Sequence, residues 1–176
     1  KPWFADDIVL AESAAQWAVS PDGKWAVWVK SRMDKEKNGE VSNLFLTEMG
    51  TGRSAQLTQG SETHSQPAWS PDGRSIAFLR KRPLPKAKVA EEEAEKDESP
   101  QLWLMGLGGG EPAPLTESAR GISRFQWLDE GTIVFNAKEE PAFLEKEREK
   151  AKDDTQTVDD VAHEPPVRLF RLKVMD

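Results

Sequence analysis

Cysteine is absent from this 176-residue chain. Its absence excludes disulfides, thiolate zinc sites and a cysteine nucleophile. Histidine is scarce, with only His64 and His163, which leaves almost no room for a three-ligand zinc site. No stretch approaches the roughly 18 consecutive apolar residues of a spanning helix, so a membrane span is excluded. A basic excess is missing too: 24 Lys and Arg stand against 31 Asp and Glu, a net charge of -7. A binder of nucleic-acid backbone normally carries a basic patch or stripe, so no nucleic-acid partner is expected. There is no initiator Met and no signal-type apolar segment at Lys1. The chain is therefore expected to be a processed piece, with any targeting segment removed and the compartment left unassigned.

What is present is 37% hydrophobic and 31% charged, with seven Trp and seven Phe. That is polar for a compact domain, yet the aromatics require a real core. The length fits one domain or a large piece of a bigger one.

An internal repeat decides the fold. Val19-Ser20-Pro21-Asp22-Gly23-Lys24-Trp25-Ala26-Val27-Trp28 matches Trp69-Ser70-Pro71-Asp72-Gly73-Arg74-Ser75-Ile76-Ala77-Phe78, 50 residues later. A degenerate third copy, Trp127-Leu128-Asp129-Glu130-Gly131-Thr132-Ile133-Val134-Phe135, follows after a further 58. Each copy continues into a short apolar run: Asn43 to Thr47, Gln101 to Met105, and Arg168 to Leu172. In the first two copies come glycine turns at Gly50-Thr51-Gly52 and Gly108-Gly109-Gly110, then Gln56-Leu57-Thr58 and Pro114-Leu115-Thr116. Ser-Pro-Asp-Gly is a hairpin turn with a reason for each residue. Pro presets φ, Asp bonds the local backbone, and Gly takes the left-handed conformation that closes the turn. The flanking runs are β-branched or aromatic, as strands require.

Four short strands per repeat predict one antiparallel sheet per repeat. Such a sheet cannot bury both faces alone, and radial stacking buries them against neighbours. The expected fold is an all-β, partial β-propeller of about three four-stranded blades: about 11–60, about 61–118, and an incomplete blade over about 119–176. Trp17, Trp28, Trp69, Phe78, Trp103, Trp127 and Phe135 are expected to fill the space between blades. A propeller closes with roughly four to eight blades. The chain is thus expected to be a fragment of a larger protein, or one of several chains that complete a ring as an oligomer.

Polar connections grow along the chain: Lys30 to Ser42 with a turn at Asn38-Gly39, Arg80 to Pro100, and Asn136 to Val167. The second carries Arg82-Pro83-Leu84-Pro85 and the acidic run Glu91 to Glu98, expected as a solvated loop. The third is expected to hold a short helix from about Ala142 to Asp153, opened by Pro141 and anchored by Phe143 and Leu144.

Catalytic patterns are missing. No Gly-x-Ser-x-Gly elbow occurs; Gly121-Ile122-Ser123 lacks the second glycine and precedes a strand. Gly106-Leu107-Gly108-Gly109-Gly110 lacks the Lys-Ser/Thr of a phosphate-binding loop. His163-Glu164-Pro165-Pro166 cannot form a zinc-binding helix. His64 is expected as a locally satisfied loop residue, with a role at the propeller rim as the alternative. The adjacent acid pairs Asp6-Asp7, Glu139-Glu140, Asp153-Asp154 and Asp159-Asp160 are ordinary in so acidic a chain, since adjacency does not make two carboxyls converge in a cleft. No residue of the chain is assigned a catalytic, cofactor-binding or metal-binding role.

Trp69 to Phe78, with Leu102-Trp103-Leu104 and Leu115-Thr116, resembles the propeller repeat shared by TolB-type proteins and the prolyl oligopeptidase family. Asp7-Ile8-Val9-Leu10 leading into the first Ser-Pro-Asp-Gly is similar to the start of the acylaminoacyl-peptidase and dipeptidyl-peptidase-like branch. Thr157 to Asp160, through Val167 to Phe170, resembles that branch's third blade. The resemblance implies an N-terminal propeller that gates and helps bind peptide substrates. It implies further blades and a C-terminal α/β-hydrolase domain carrying Ser, Asp and His, all outside this chain, and no cofactor. In the dipeptidyl peptidases a propeller glutamate pair holds the substrate's amino terminus. Glu139-Glu140 is a superficial match without the aromatic context, and no site is carried over. The alternative is a TolB-like propeller that binds a protein partner without catalysis.

Overall fold

The computed structural model describes residues 11–34, 38–81, 99–139 and 166–174. The acidic run Glu91 to Glu98, the helix expected from Ala142 to Asp153, His163, Glu140 and the three other acid pairs lie outside them. So does Asp7 to Leu10. Among the described residues, eleven strands build three antiparallel sheets. Sheet one holds β1 (Ser13–Val19), β2 (Trp25–Asp34), β3 (Gly39–Glu48) and β4 (Ser54–Gln56) in that order. Sheet two repeats it with β5 (Thr63–Trp69), β6 (Ser75–Lys81), β7 (Pro100–Gly106) and β8 (Ala113–Pro114). Sheet three has β9 (Ile122–Asp129), β10 (Thr132–Lys138) and β11 (Val167–Lys173) among the described residues. This is a partial all-β propeller.

The turns work as their sequence requires. Ser20 Oγ donates to Asp22 Oδ1 at 2.6 Å and accepts from Trp25 N–H at 2.9 Å. Asp22 Oδ1 also accepts from Lys24 N–H at 3.1 Å, and Gly23 sits at φ 71°. Ser70, Asp72, Arg74, Ser75 and Gly73 repeat the arrangement. These bonds favour the ionised acid, so the Ser20 hydroxyl holds the Asp22 carboxyl below the ordinary value, and the Ser70 hydroxyl does the same for Asp72. The Leu-Thr pair ends each four-stranded sheet. Leu44 N–H donates to Thr58 Oγ1 at 2.9 Å, and Leu102 N–H to Thr116 Oγ1 at 3.0 Å. A side-chain oxygen thus extends the ladder beyond the short outer strands.

Pleat alternation sends successive side chains of the middle strands to opposite faces. Ile76, Phe78, Trp103 and Met105 join Val27, Val29, Leu44 and Trp69 in a core between sheets one and two. Ala77, Leu79 and Leu102 join Ile122 and Ile133 between sheets two and three, with Trp127 and Phe135 packed against them. Trp17 and Trp28 do not fill these layers. Trp17 is 74% exposed. Because Val27 and Val29 face sheet two, Trp28 stands on the other face and stacks on Phe45, ring centroids 5.0 Å apart. The polar stretch Lys30 to Ser42 is also mostly strand. β2 and β3 stay paired through Asp34↔Gly39, since backbone ladders do not need apolar side chains. Asn38 takes φ 47° at the expected turn.

Gly121 is needed twice over. Its φ is 71°, and a Cβ there would lie 2.8 Å from Pro100 Cδ and 3.0 Å from Pro100 N. Gly73 has φ 73° but only ordinary contact with Pro21, at 3.5 Å. Gly121→Ala should therefore cost about 3 kcal/mol, left-handed strain plus overpacking. Gly73→Ala should cost about 1 kcal/mol, from the strain alone. Urea unfolding of both variants checks the difference; equal losses would overturn the close approach at Gly121.

Candidate functional site

The two rims of the sheets differ. One carries the tight turns at Pro21 to Lys24, Pro71 to Arg74 and Glu130-Gly131. On the other, the chain leaves β2, β6 and β10 for the connections to β3, β7 and β11, and there it also crosses from each sheet to the next. The polar chemistry gathers on this second rim.

The inner strands β1, β5 and β9 are tied to one another between the two rims. Each has a bulge in its pairing with the next strand. At the first two bulges Gln16 and Gln66 adopt φ 51° and 52°. Non-glycine residues rarely take this conformation. Gln16 Oε1 accepts from Gln66 N–H at 2.6 Å, and Gln66 Nε2 donates to Ser123 O at 2.9 Å. Each glutamine satisfies backbone of the following sheet. Trp69 Nε1 donates to Ala18 O at 3.0 Å, and Trp127 Nε1 to Ala68 O at 3.4 Å, adding a second tie at each junction.

His64 lies in β5, not in a loop, and is 1% exposed. Its Nδ1 donates to Ser42 O at 2.7 Å, while Ser42 Oγ donates to His64 O and accepts from His64 N–H. The carbonyl partner fixes the proton on Nδ1. Nε2 is buried and has no hydrogen-bond partner among the described residues. Burial lowers the His64 pKa from its ordinary value, and the Arg80 charge adds to this; the Ser42 bond and Glu62 oppose it. The His64 position is Ile122 in sheet three, since His64 pairs with Arg80 and Ile122 with Ala137. The ring is a junction group that takes the place of a hydrocarbon.

The second rim holds a repeated stack of carboxylate, cation and aromatic ring. In sheet one Lys30 Nζ is 2.6 Å from Glu12 Oε2 and 5.7 Å from the Phe45 centroid. In sheet two Arg80 pairs with Glu62 and lies 4.6 Å from the Trp103 centroid. In sheet three Phe170 keeps the ring, stacked on Phe135 at 5.4 Å, but Ala137 stands where the cation would be and Arg120 where the acid would be. A pocket of about 280 Å³ opens there, lined by Thr116, Glu117, Ser118, Phe135, Ala137, Lys138 and Phe170. Glu139, one residue beyond Lys138, is held by Arg168, with both contacts at 3.3 Å.

His64 and Glu139 are visible as candidates in the sequence, whereas the glutamine ties and the stacks are not visible in any local pattern. The matched spacings of Gln16 and Gln66, and of Glu12, Lys30, Glu62 and Arg80, were the available signal. Gly121 serves the crossing of Pro100, and Gly106 to Gly110 forms the turn after β7.

No family model matches the chain. It is 34% identical over 130 residues to the uncharacterized peptidase YuxL of Bacillus subtilis, covering 74% of this chain and 18% of that protein. The lasso peptide isopeptidase AtxE2 of Asticcacaulis excentricus is 29% identical over 117 residues, 66% of this chain and 14% of its own length. Dipeptidyl-peptidase 5 of Porphyromonas gingivalis is 39% identical over 66 residues, 37% of this chain and 10% of its own. The chain thus spans less than a fifth of the curated relatives it matches. Among solved structures, Pyrococcus horikoshii acylaminoacyl peptidase aligns with a TM-score of 0.59 at 17% identity, over 86% of this chain and 20% of that one. The β-propeller domain of the Trilobed protease from Pyrococcus furiosus aligns with 0.53 at 15%, over 75% and 37%. Both share the fold.

The lowered His64 pKa has a sign. Above the unfolded value near pH 6.5, both states are neutral and stability is complete. Below it the unfolded chain takes a proton that the folded chain refuses, so stability falls as pH falls. His64→Ile should flatten this limb just below pH 6.5, while the loss caused by Asp22 and Asp72 near pH 4 remains. Unfolding free energy measured across pH for both proteins tests this; parallel curves would refute it.

Proposed function

We propose that this chain, which belongs to the N-terminal β-propeller portion of the prolyl oligopeptidase family, is the part of a serine peptidase that gates and helps bind peptide substrates. The serine, aspartate and histidine of catalysis would lie on an α/β-hydrolase domain outside this chain. The observation that carries the reading is the division of labour between the rims. Glutamine and tryptophan side chains tie the inner strands into one wall, and every departure to a β2–β3-type connection emerges on a single rim of it. A rigid scaffold that presents its variable connections on one side is suited to selecting what passes. The peptidase relatives supply the chemistry of the ligand, a peptide.

The test is on the whole gene product. A fluorophosphonate probe should label a serine in the intact protein, at a mass several-fold above 19.7 kDa, and should leave the isolated 176-residue chain unlabelled. An intact, heavier protein without a labelled serine would overturn the peptidase reading and favour a propeller that only binds.

A further inference from the structure

The three sheets are copies, so a difference between them at one position has a meaning. Two copies lay their own cation on an aromatic ring and hold it with a carboxylate, Glu12–Lys30–Phe45 and Glu62–Arg80–Trp103. In the third, the register fixes Ala137 as the counterpart of Lys30 and Arg80, and Phe170 as the counterpart of Phe45 and Trp103. Truncating a cationic side chain to a methyl group leaves its volume empty beside the ring. The cavity at Ala137 is about 280 Å³ and lies between Thr116 to Ser118 on one side and Phe135, Ala137 and Phe170 on the other. Phe170 is 39% exposed, although it stacks on Phe135. Arg120 replaces the acid of the other copies, and Glu117 is the one acidic residue among those that line the pocket. Lys138 lines it too, and like its counterpart Lys81 it is exposed, so its ammonium can turn to water.

We propose that the pocket between sheets two and three binds the guanidinium side chain of an arginine in a bound peptide, laid on Phe170 as Arg80 is laid on Trp103 and paired with Glu117. A guanidinium fits because it is planar, weakly hydrated and attracted to a ring face. The net charge of -7 favours approach of a basic peptide. This inference rests on the peptide-binding reading above, and names the side chain that the rim selects.

The experiment compares two labelled peptides that differ only in arginine against citrulline, which has the same shape without the charge. Their Kd values for the full-length gene product are read by fluorescence anisotropy. The arginine peptide should bind about tenfold more tightly. Ala137→Arg, which fills the pocket as sheet two fills its own, should reduce the ratio to within about twofold. Phe170→Leu removes the ring face and should do the same if Ala137→Arg fails to fold. A wild-type ratio near one, or a preference that survives in the folded variants, would overturn the proposal. Arg74→Ala, on the opposite rim, should keep the wild-type ratio. Anisotropy needs no turnover, so an arginine preference in a protein without a labelled serine would sink the peptidase reading alone. A labelled, active enzyme without the preference would sink the pocket alone.

Discussion

A short antiparallel sheet with apolar residues on both faces can be stable only between two neighbours. That constraint organises this chain. Along β6, Ile76 and Phe78 point one way and Ala77 and Leu79 the other, and all four are buried. Sheet two meets the constraint within the described residues, because sheets one and three cover it. The flanking sheets each meet it on one side. On its far face, sheet one shows the Trp28–Phe45 stack. Val167 and Leu169 on sheet three are 59% and 78% exposed. These side chains are the ordinary consequence of a radial stack in which each sheet supplies half of two cores.

Much of this architecture is written locally. The Ser-Pro-Asp-Gly turns, the apolar runs and the Leu-Thr endings each act within a few residues, and their repetition shows how many sheets to expect. Other features depend on residues about 50 positions apart, and no local pattern contains them. Gln16 looks like any polar residue before a strand end until Gln66 N–H is placed 2.6 Å from its Oε1. Trp17 and Trp28 look like core because they are large and apolar. Only the pleat, counted from Val27 and Val29, places Trp28 on the face away from sheet two. Lys30, Arg80 and Asn136 look like loop residues by polarity. They are strand residues at a rim, where polar groups find partners within the sheets: Lys30 and Arg80 each meet a carboxylate and a ring, and Asn136 Oδ1 accepts from Arg124 N–H.

The junctions also use different physics for the same geometry. Between sheets one and two the crossing is polar: Ser42 exchanges two hydrogen bonds with the His64 backbone, and Thr63 Oγ1 donates to Glu40 O at 3.1 Å. Between sheets two and three the matching positions are Pro100 and Ile122, and Gly121 makes room for the proline. Gln101 takes over the polar work there, donating to Ser118 O and accepting from Ser118 N–H. Packing at the second crossing is set by shape, and at the first by hydrogen bonds. An imidazole serves the first because its Nδ1–H meets the Ser42 carbonyl, while the rest of the ring faces Phe78 at 5.7 Å.

Repetition is what makes such substitutions interpretable in a single sequence. A buried histidine alone is ambiguous, but one that replaces an isoleucine in an otherwise matched frame must be judged by what the frame supplies to it. Among the described residues that is one acceptor for Nδ1, none for Nε2, and an adjacent Arg80–Glu62 pair of opposing charges. Protonating the ring would bury a second donor without an acceptor, next to a guanidinium. The neutral form is therefore a condition of the tight first junction, and not an accident of its burial. The same frame shows why Ala137 is unusual. Alanine at a rim is unremarkable in isolation; where two sister sheets place a cation at the position, it leaves the Phe170 ring partly uncovered in a pocket that Glu117 also lines.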